Sequence, residues 1–179
     1  VEAKDIPTMH DIINNRIEHV NRQIMEYSSK NLGGMASGTT LSIGIVKGQE
    51  LFIAHIGDGR VYLIRDSQIR PITQDHTYVA ELVKGGIISS NEALTHPEKN
   101  KITRALGFNE NYLPDFYRET IKENDIFVFC TDGLYEHLTD DEICDIILKV
   151  PIEEASAELI KAVNQQGGND NVTVIIAWA

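Results

Sequence analysis

Cysteine is scarce in this chain. Only Cys130 and Cys144 occur, too few for a disulfide framework, and they show no metal-binding spacing. A reducing compartment, the cytoplasm, is the expectation. Basic residues are also in short supply: 16 Lys and Arg stand against 27 Asp and Glu, a formal charge of −11. Such a field repels nucleic-acid backbones and anionic lipid surfaces, so neither is an expected partner. Long hydrophobic runs are missing as well. The stretch 126–130 is typical of the longest, far below the roughly 20 apolar residues that a membrane helix needs. The opening Val1-Glu2-Ala3-Lys4-Asp5 has no initiator Met and no apolar signal-peptide core, and does not read as a native translation start.

What is present is the composition of a folded globular chain. Hydrophobic residues make up 42% and charged residues 24% of 179, which suits a single domain spanning 1–179. Over residues 7–30 the apolar positions Ile13, Ile17, Val20, Ile24 and Tyr27 recur every three or four residues, which predicts an amphipathic helix. Asn31-Leu32-Gly33-Gly34 ends it. Alternating residues then predict strands over 41–46 and 51–56, joined by a turn at Lys47-Gly48-Gln49-Glu50. Gly57-Asp58-Gly59-Arg60 separates the second run from a third at 61–65 and reads as a further hairpin turn. Asp66-Ser67 leads into residues 68–72, so the whole stretch reads as an antiparallel meander.

Between Asp75 and Gly107 the strand pattern gives way to short helical pieces at 78–84 and 91–94, a flap-like excursion interrupted by Gly85-Gly86 and His96-Pro97. Strand signals return at 116–121 and 126–130, the latter apolar on both alternations and therefore expected to be buried on both faces. Thr139-Asp140-Asp141-Glu142 is a capping box opening a helix through Leu148. A second helix runs from about Glu153 to Gln165, and a last strand occupies 171–178. Strands in runs with helices before, between and after them indicate an α+β architecture of antiparallel layers.

Three aspartates lie beside glycine at strand ends or tight turns: Asp58, Asp132 and Asp170. Oxygen-rich, thiolate-free sites of this kind suit hard divalent ions such as Mg²⁺ or Mn²⁺. Each has a plainer reading. Asp58 is explained by a hairpin turn, Asp132 by capping the short helical segment after it, and Asp170 by solvating a loop. Glu136, four residues beyond Asp132, is spaced to share its helix face, its plainer reading being a solvent-facing carboxylate. Of the six histidines, His55 is expected to be a packed, hydrogen-bonded strand residue.

Six motifs in order carry a resemblance. They are Gly38-Thr39-Thr40; His55-Ile56-Gly57-Asp58-Gly59-Arg60-Val61-Tyr62; Thr73-Gln74-Asp75-His76; His96-Pro97-Glu98-Lys99-Asn100 with Ile102-Thr103-Arg104-Ala105-Leu106-Gly107; Thr131-Asp132-Gly133-Leu134; and Gly168-Asn169-Asp170-Asn171-Val172-Thr173. Together they resemble the type 2C protein Ser/Thr phosphatases, the PPM family, in their bacterial form. The resemblance implies a four-layer α-β-β-α sandwich with two Mg²⁺ or Mn²⁺ ions between the sheets. It implies hydrolysis of phosphoserine and phosphothreonine by a metal-activated water without a covalent phospho-enzyme. Asp132 and Asp170 match metal-ligand positions, Asp58 matches an Asp that helps to hold an additional metal, and 75–107 matches the flap beside the active site. Glu136 stands where the family usually has Asp for that additional ion.

The family also carries, upstream, strands with a phosphate-gripping Arg and an Asp that bridges the two metals, and no counterpart precedes the first helix. The expectation is an N-terminally incomplete sandwich, inactive or weakly active alone, with unpaired sheet edges that favour self-association. The competing expectation is a catalytically dead module that binds phosphoproteins. Substrates would be phosphoproteins, supplied by a Ser/Thr protein kinase system. A haloacid-dehalogenase-type phosphatase would need a nucleophilic Asp where Cys130 stands, and is set aside.

Overall fold

The computed structural model describes residues 8–33, 35–108, 112–168 and 170–179. The N-terminal residues through Pro7, and Gly34 and Asn169 in the two glycine turns, lie outside them. Thr8 and Asp11 open helix α1 (Met9–Asn31) with a reciprocal capping box. Strands β1 (Leu41–Lys47) and β2 (Glu50–Ile56) form the expected hairpin around Gly48, which sits at φ +62°. Strands β3 (Arg60–Arg65) and β4 (Gln68–Pro71) pair across Asp66-Ser67, both at positive φ as a two-residue hairpin turn requires. Helices α2 (Tyr78–Lys84) and α3 (Ser90–Leu94) follow, then β5 (Asp115–Thr120) and β6 (Ile126–Cys130). Helices α4 (Asp132–Tyr135), α5 (Asp140–Lys149) and α6 (Ile152–Gln165) precede β7 (Val174–Trp178).

The strands form two antiparallel sheets, one ordered β1-β2-β5 and the other β4-β3-β6-β7. Alternation along each strand decides what each residue meets. In β3, Val61 and Leu63 join Leu51, Ile53 and Phe127 in the core between the sheets, while Tyr62 and Ile64 face α5 and α6. There they pack with Ile143, Ile147, Leu159 and Val163, all at most 2% exposed. On the opposite outer face, Ile13 and Ile17 of α1 cover Ala54 and Ile56 of β2. The order helix, sheet, sheet, helices is the α-β-β-α sandwich expected from the resemblance.

One local expectation fails. Gly57-Asp58-Gly59-Arg60 is not a hairpin turn, because β2 pairs with β1 and β5 whereas β3 pairs with β4 and β6. The segment carries the chain from one sheet to the other, so the meander is broken there. Gly57 takes φ +106°, and a Cβ at that position would lie 2.3 Å from Thr40 Cγ2. The tight bend is real, but it separates layers instead of pairing strands.

The stripe on α1 is also only half used. Ile13, Ile17, Asn21 and Ser28 are buried, whereas Val20 is 41% and Tyr27 60% exposed. The buried Asn21 explains the shift in the stripe: its Oδ1 accepts the Gly107 N–H at 2.6 Å. Gly107 has φ +79° and no room for a side chain, with Ile24 Cγ2 2.2 Å from a built Cβ. Asn21→Ala leaves that buried N–H without its acceptor, and urea denaturation should register a loss of about 1–3 kcal/mol.

Candidate functional site

The end of β6 and the start of β7 lie side by side, Cys130 opposite Val174. Past Cys130, the Thr131 N–H donates to the Thr173 carbonyl, and the Thr173 N–H returns a bond to Thr131 Oγ1 at 3.0 Å. Gly133 then passes so close to Asn171 that a Cβ would lie 2.5 Å from its carbonyl oxygen. These contacts bring the first turn of α4 against residues 170–172. Asp132 does not cap α4 from outside; Thr131 is the N-cap and Asp132 is in the first turn. Its Oδ1 accepts the adjacent Gly133 N–H at 2.9 Å. Asp170 Oδ1 likewise accepts the Asn171 N–H, at 2.6 Å.

Asp58 arrives from the sheet-to-sheet crossing and is fixed through its backbone. The Gly57 carbonyl accepts from His55 Nε2 at 3.0 Å and from the His76 backbone N–H at 2.8 Å, and the Gly57 N–H donates to His76 Nδ1 at 3.1 Å. The Asp58 carbonyl accepts from the Tyr135 hydroxyl at 2.8 Å. Because a carbonyl only accepts and an N–H only donates, the protons are assigned: His55 and His76 both carry theirs on Nε2. His55 Nδ1 then accepts from Ser42 Oγ at 2.9 Å, and His76 Nε2–H faces Asp115 Oδ2 at 3.2 Å. Burial, with the His76 imidazole beside it, pushes the His55 pKa down to about 4. Burial also lowers that of His76, against the hydrogen bond to Asp115. The packed, hydrogen-bonded reading of His55 is the one observed.

Asp58, Asp132 and Glu136 line one cleft of about 590 Å³ together with Arg60, Asp75 and Lys99. Asp170 is not among its lining residues and is exposed, yet its charge reaches Asp132. The Asp132 carboxyl is raised above the usual carboxylate range, first by burial and then by the charges of Asp170 and Glu136. The Asp58 carboxyl is pushed up to about 6, again by burial first, then by Asp132, Asp75 and Glu136. A carboxylate lifted by neighbouring carboxylates, as Asp58 and Asp132 are, sits in an excess of negative charge that a cation relieves.

The cations of the cleft are already committed. Arg60 donates to both oxygens of Asp75 at 2.8–3.2 Å and to the Tyr62 hydroxyl at 3.1 Å, and lies 3.6 Å over the Tyr135 ring. Lys99 Nζ is 3.3 Å from Glu136 Oε1. Arg60, Asp75, His76 and Lys99 all fall within the quoted motifs, yet sequence reasoning assigned them no role; their charged partners are 15 to 39 residues away. Tyr135 was hidden in the same way.

The donor chemistry fits a hard divalent ion: oxygen only, partly buried and mutually repelling. Among the described residues, no three His, Cys, Asp or Glu side chains form a group able to hold a metal ion. Asp58, Asp132 and Glu136 share the cleft, and Asp170 lies outside its lining and reaches Asp132 through its charge. Cys130 adds nothing to it, since burial pushes its thiol up to about 12, far from a reactive thiolate.

Comparison with known proteins covers nearly the whole chain. The family described as PP2C, protein phosphatase 2C, matches residues 2–172. The serine/threonine phosphatase stp of Listeria welshimeri is 34% identical over 175 residues, which is 97% of this chain and 68% of that protein. The solved serine/threonine phosphatase of S. agalactiae superposes with a TM-score of 0.89 at 30% identity, covering 99% of this chain and 75% of that one. The catalytic domain of the serine threonine protein phosphatase PstP, in complex with two manganese ions, superposes with a TM-score of 0.82 at 31% identity, over 96% and 73% of the two chains.

The raised Asp58 carboxyl has a measurable sign. In the folded state it binds its proton more tightly than an ordinary aspartate, so it penalises folding above about pH 6 and ceases to do so as the proton is taken up on acidification. In chelator-treated protein, Asp58→Asn should therefore melt above the parent at pH 7 to 8. The difference should shrink between about pH 6 and 4 and be gone below pH 4, as followed by thermal denaturation across a pH series.

Proposed function

This chain belongs to the protein phosphatase 2C family, and from that membership we propose that it acts on phosphoserine and phosphothreonine in proteins through a divalent-metal centre at Asp132 and Asp170. The observation that carries the reading is electrostatic. The charge of Asp170 raises the carboxyl of Asp132, in a motif nearly forty positions away, and Asp58 is pushed up to about 6 by burial and by Asp132. Such crowding is costly in a bare protein and favourable around a cation.

Bound Mg²⁺ or Mn²⁺ would polarise a phosphoryl oxygen and acidify a water molecule for in-line attack. Asp132 and Asp170 would hold the principal ion. Asp58, its peptide pinned by His55 and His76, would present an oxygen to an additional one. Glu136 would join it only by giving up Lys99, an exposed pair of the kind worth about 0–1 kcal/mol. Arg60, held by Asp75 and Tyr62, orders the wall of the cleft, and its two terminal nitrogens each carry one N–H beyond those bonds.

A second reading, phosphoprotein binding with little or no turnover by this chain alone, is favoured by one observation: the described residues supply no three-member ligand group. Phosphoprotein substrates imply a Ser/Thr kinase acting on the same targets. The two buried free cysteines are in keeping with a reducing, cytoplasmic setting; no helix among the described residues is long and apolar enough to cross a membrane. Self-association is supported by sheet edges. Edge strands β1 and β7 lie on the same side of the sandwich, where Gly44 meets Phe129, and their inward-facing Val46 and Ile175 are 65% and 62% exposed. Concentration-dependent light scattering should show dimers or larger species, and a monomer at high concentration would remove that part of the proposal.

The central test is Mn²⁺ titration by calorimetry, run beside phosphate release from a phosphothreonine peptide. Mn²⁺ should bind, and Asp132→Asn should weaken binding by at least about tenfold. Metal-dependent phosphate release establishes the hydrolase; peptide binding without release establishes the second reading. Absence of Mn²⁺ binding refutes the metal centre.

A further inference from the structure

The cleft that holds Asp58 and Asp132 does not end with the acidic residues. The same cavity continues beneath the excursion between β4 and β5, where Val79, Ala80 and Val83 of α2 and Ala93 and Leu94 of α3 line it. Thus one cavity of about 590 Å³ has a carboxylate end and an aliphatic end. Its size lies within the range of pockets that enclose most of a drug-sized ligand, more than a phosphate group alone would fill. Leu94 is 72% exposed although it lines this recess. An aliphatic side chain left open beside a functional cleft is a gain in free energy that awaits a partner.

Two chemistries in one cavity require a ligand that carries both. We propose that the α2–α3 wall is a specificity subsite of the phosphatase centre, and that it takes an aliphatic side chain flanking the phosphorylated residue of the substrate. The inference rests on the phosphatase reading for the acidic end and adds the sequence class of the substrate.

The excursion is built to keep this wall in place. Thr77 caps α2 through its hydroxyl, and Ser89 and Glu92 form a reciprocal capping box on α3. The Tyr78 N–H donates to the Lys101 carbonyl at 2.8 Å, and the Thr103 N–H donates to the His76 carbonyl at 2.8 Å. These bonds tie both ends of the segment together, and His76 ties it to the Asp58 turn. The aliphatic wall and the acidic end are therefore held in a fixed relation, as a two-point recognition site requires.

The inverse control lies nearby. Ile87, between α2 and α3, is 70% exposed but does not line the cleft.

The experiment uses four fluorescent peptides of one sequence: phosphothreonine flanked by Leu or by Ser, and the unphosphorylated form of each. Their binding to the chain in the presence of Mn²⁺ is read by anisotropy. The Leu-flanked phosphopeptide should bind about tenfold more tightly than the Ser-flanked one, since burying one aliphatic side chain supplies that much. Leu94→Asp should bring the two within about twofold of each other, whereas Ile87→Asp should leave the preference intact; circular dichroism checks that both variants fold. Equal binding of Leu and Ser peptides, or a preference that survives Leu94→Asp, overturns the subsite. If phosphate adds nothing while the unphosphorylated Leu peptide still outbinds its Ser partner in a Leu94-dependent way, the aliphatic subsite stands and the phosphatase reading falls.

Discussion

The peptide unit of Gly57 is where the two sheets and the candidate centre meet. Its carbonyl and its N–H are both taken by imidazoles, one from inside β2 and one from the segment after β4. Each histidine is then committed in turn, to Ser42 and to Asp115. A change of layer ordinarily leaves polar backbone exposed or badly paired; here the Gly57 N–H, the Gly57 carbonyl and the Asp58 carbonyl each have a partner. The next residue is Asp58, so the same bonds that satisfy the crossing aim the carboxylate into the cleft. Fold and site are one construction at this point, and the φ of +106° that only glycine adopts comfortably is part of both.

A second balance is electrostatic. The molecule is acidic throughout, and the cleft concentrates that excess: Asp58, Asp75, Asp132 and Glu136 face two cations, each already spoken for. Arg60 is the firmer of the two, held by a bidentate carboxylate and an aromatic face, and Lys99 the looser, in a single exposed contact. The unneutralised remainder sits on Asp58 and Asp132, the residues whose carboxyls are lifted.

Much of the fold was legible because its signals are local. Residues 78–84 and 126–130 read from periodicity coincide with α2 and β6, and the Thr139–Glu142 box opens α5. The exception is instructive. Gly57-Asp58-Gly59-Arg60 carries the residues of a hairpin turn, and the bend they produce is tight, but whether two strands joined by a bend pair with each other depends on the competing partners β5 and β6, which arrive some sixty residues later. The α1 stripe misled for a related reason: Asn21 is polar and buried because Gly107, far along the chain, needs an acceptor. Asp58, Asp132, Asp170 and Glu136 stood out in the sequence as carboxylates beside glycine or on one helix face. The network that supports them did not, because pairings such as Arg60 with Asp75 and Tyr135 with Asp58 have no spacing signature.

The bond from Gly107 to Asn21 reaches further than packing. Residue 107 closes the excursion that carries the aliphatic wall, and Leu106 bridges to Thr39 just before β1. Helix α1, on the outer face of the opposite sheet, therefore anchors the far end of the cleft wall. The outer helix and the wall are thus joined by one buried hydrogen bond, and the wall's far end keeps its position only while that helix is docked.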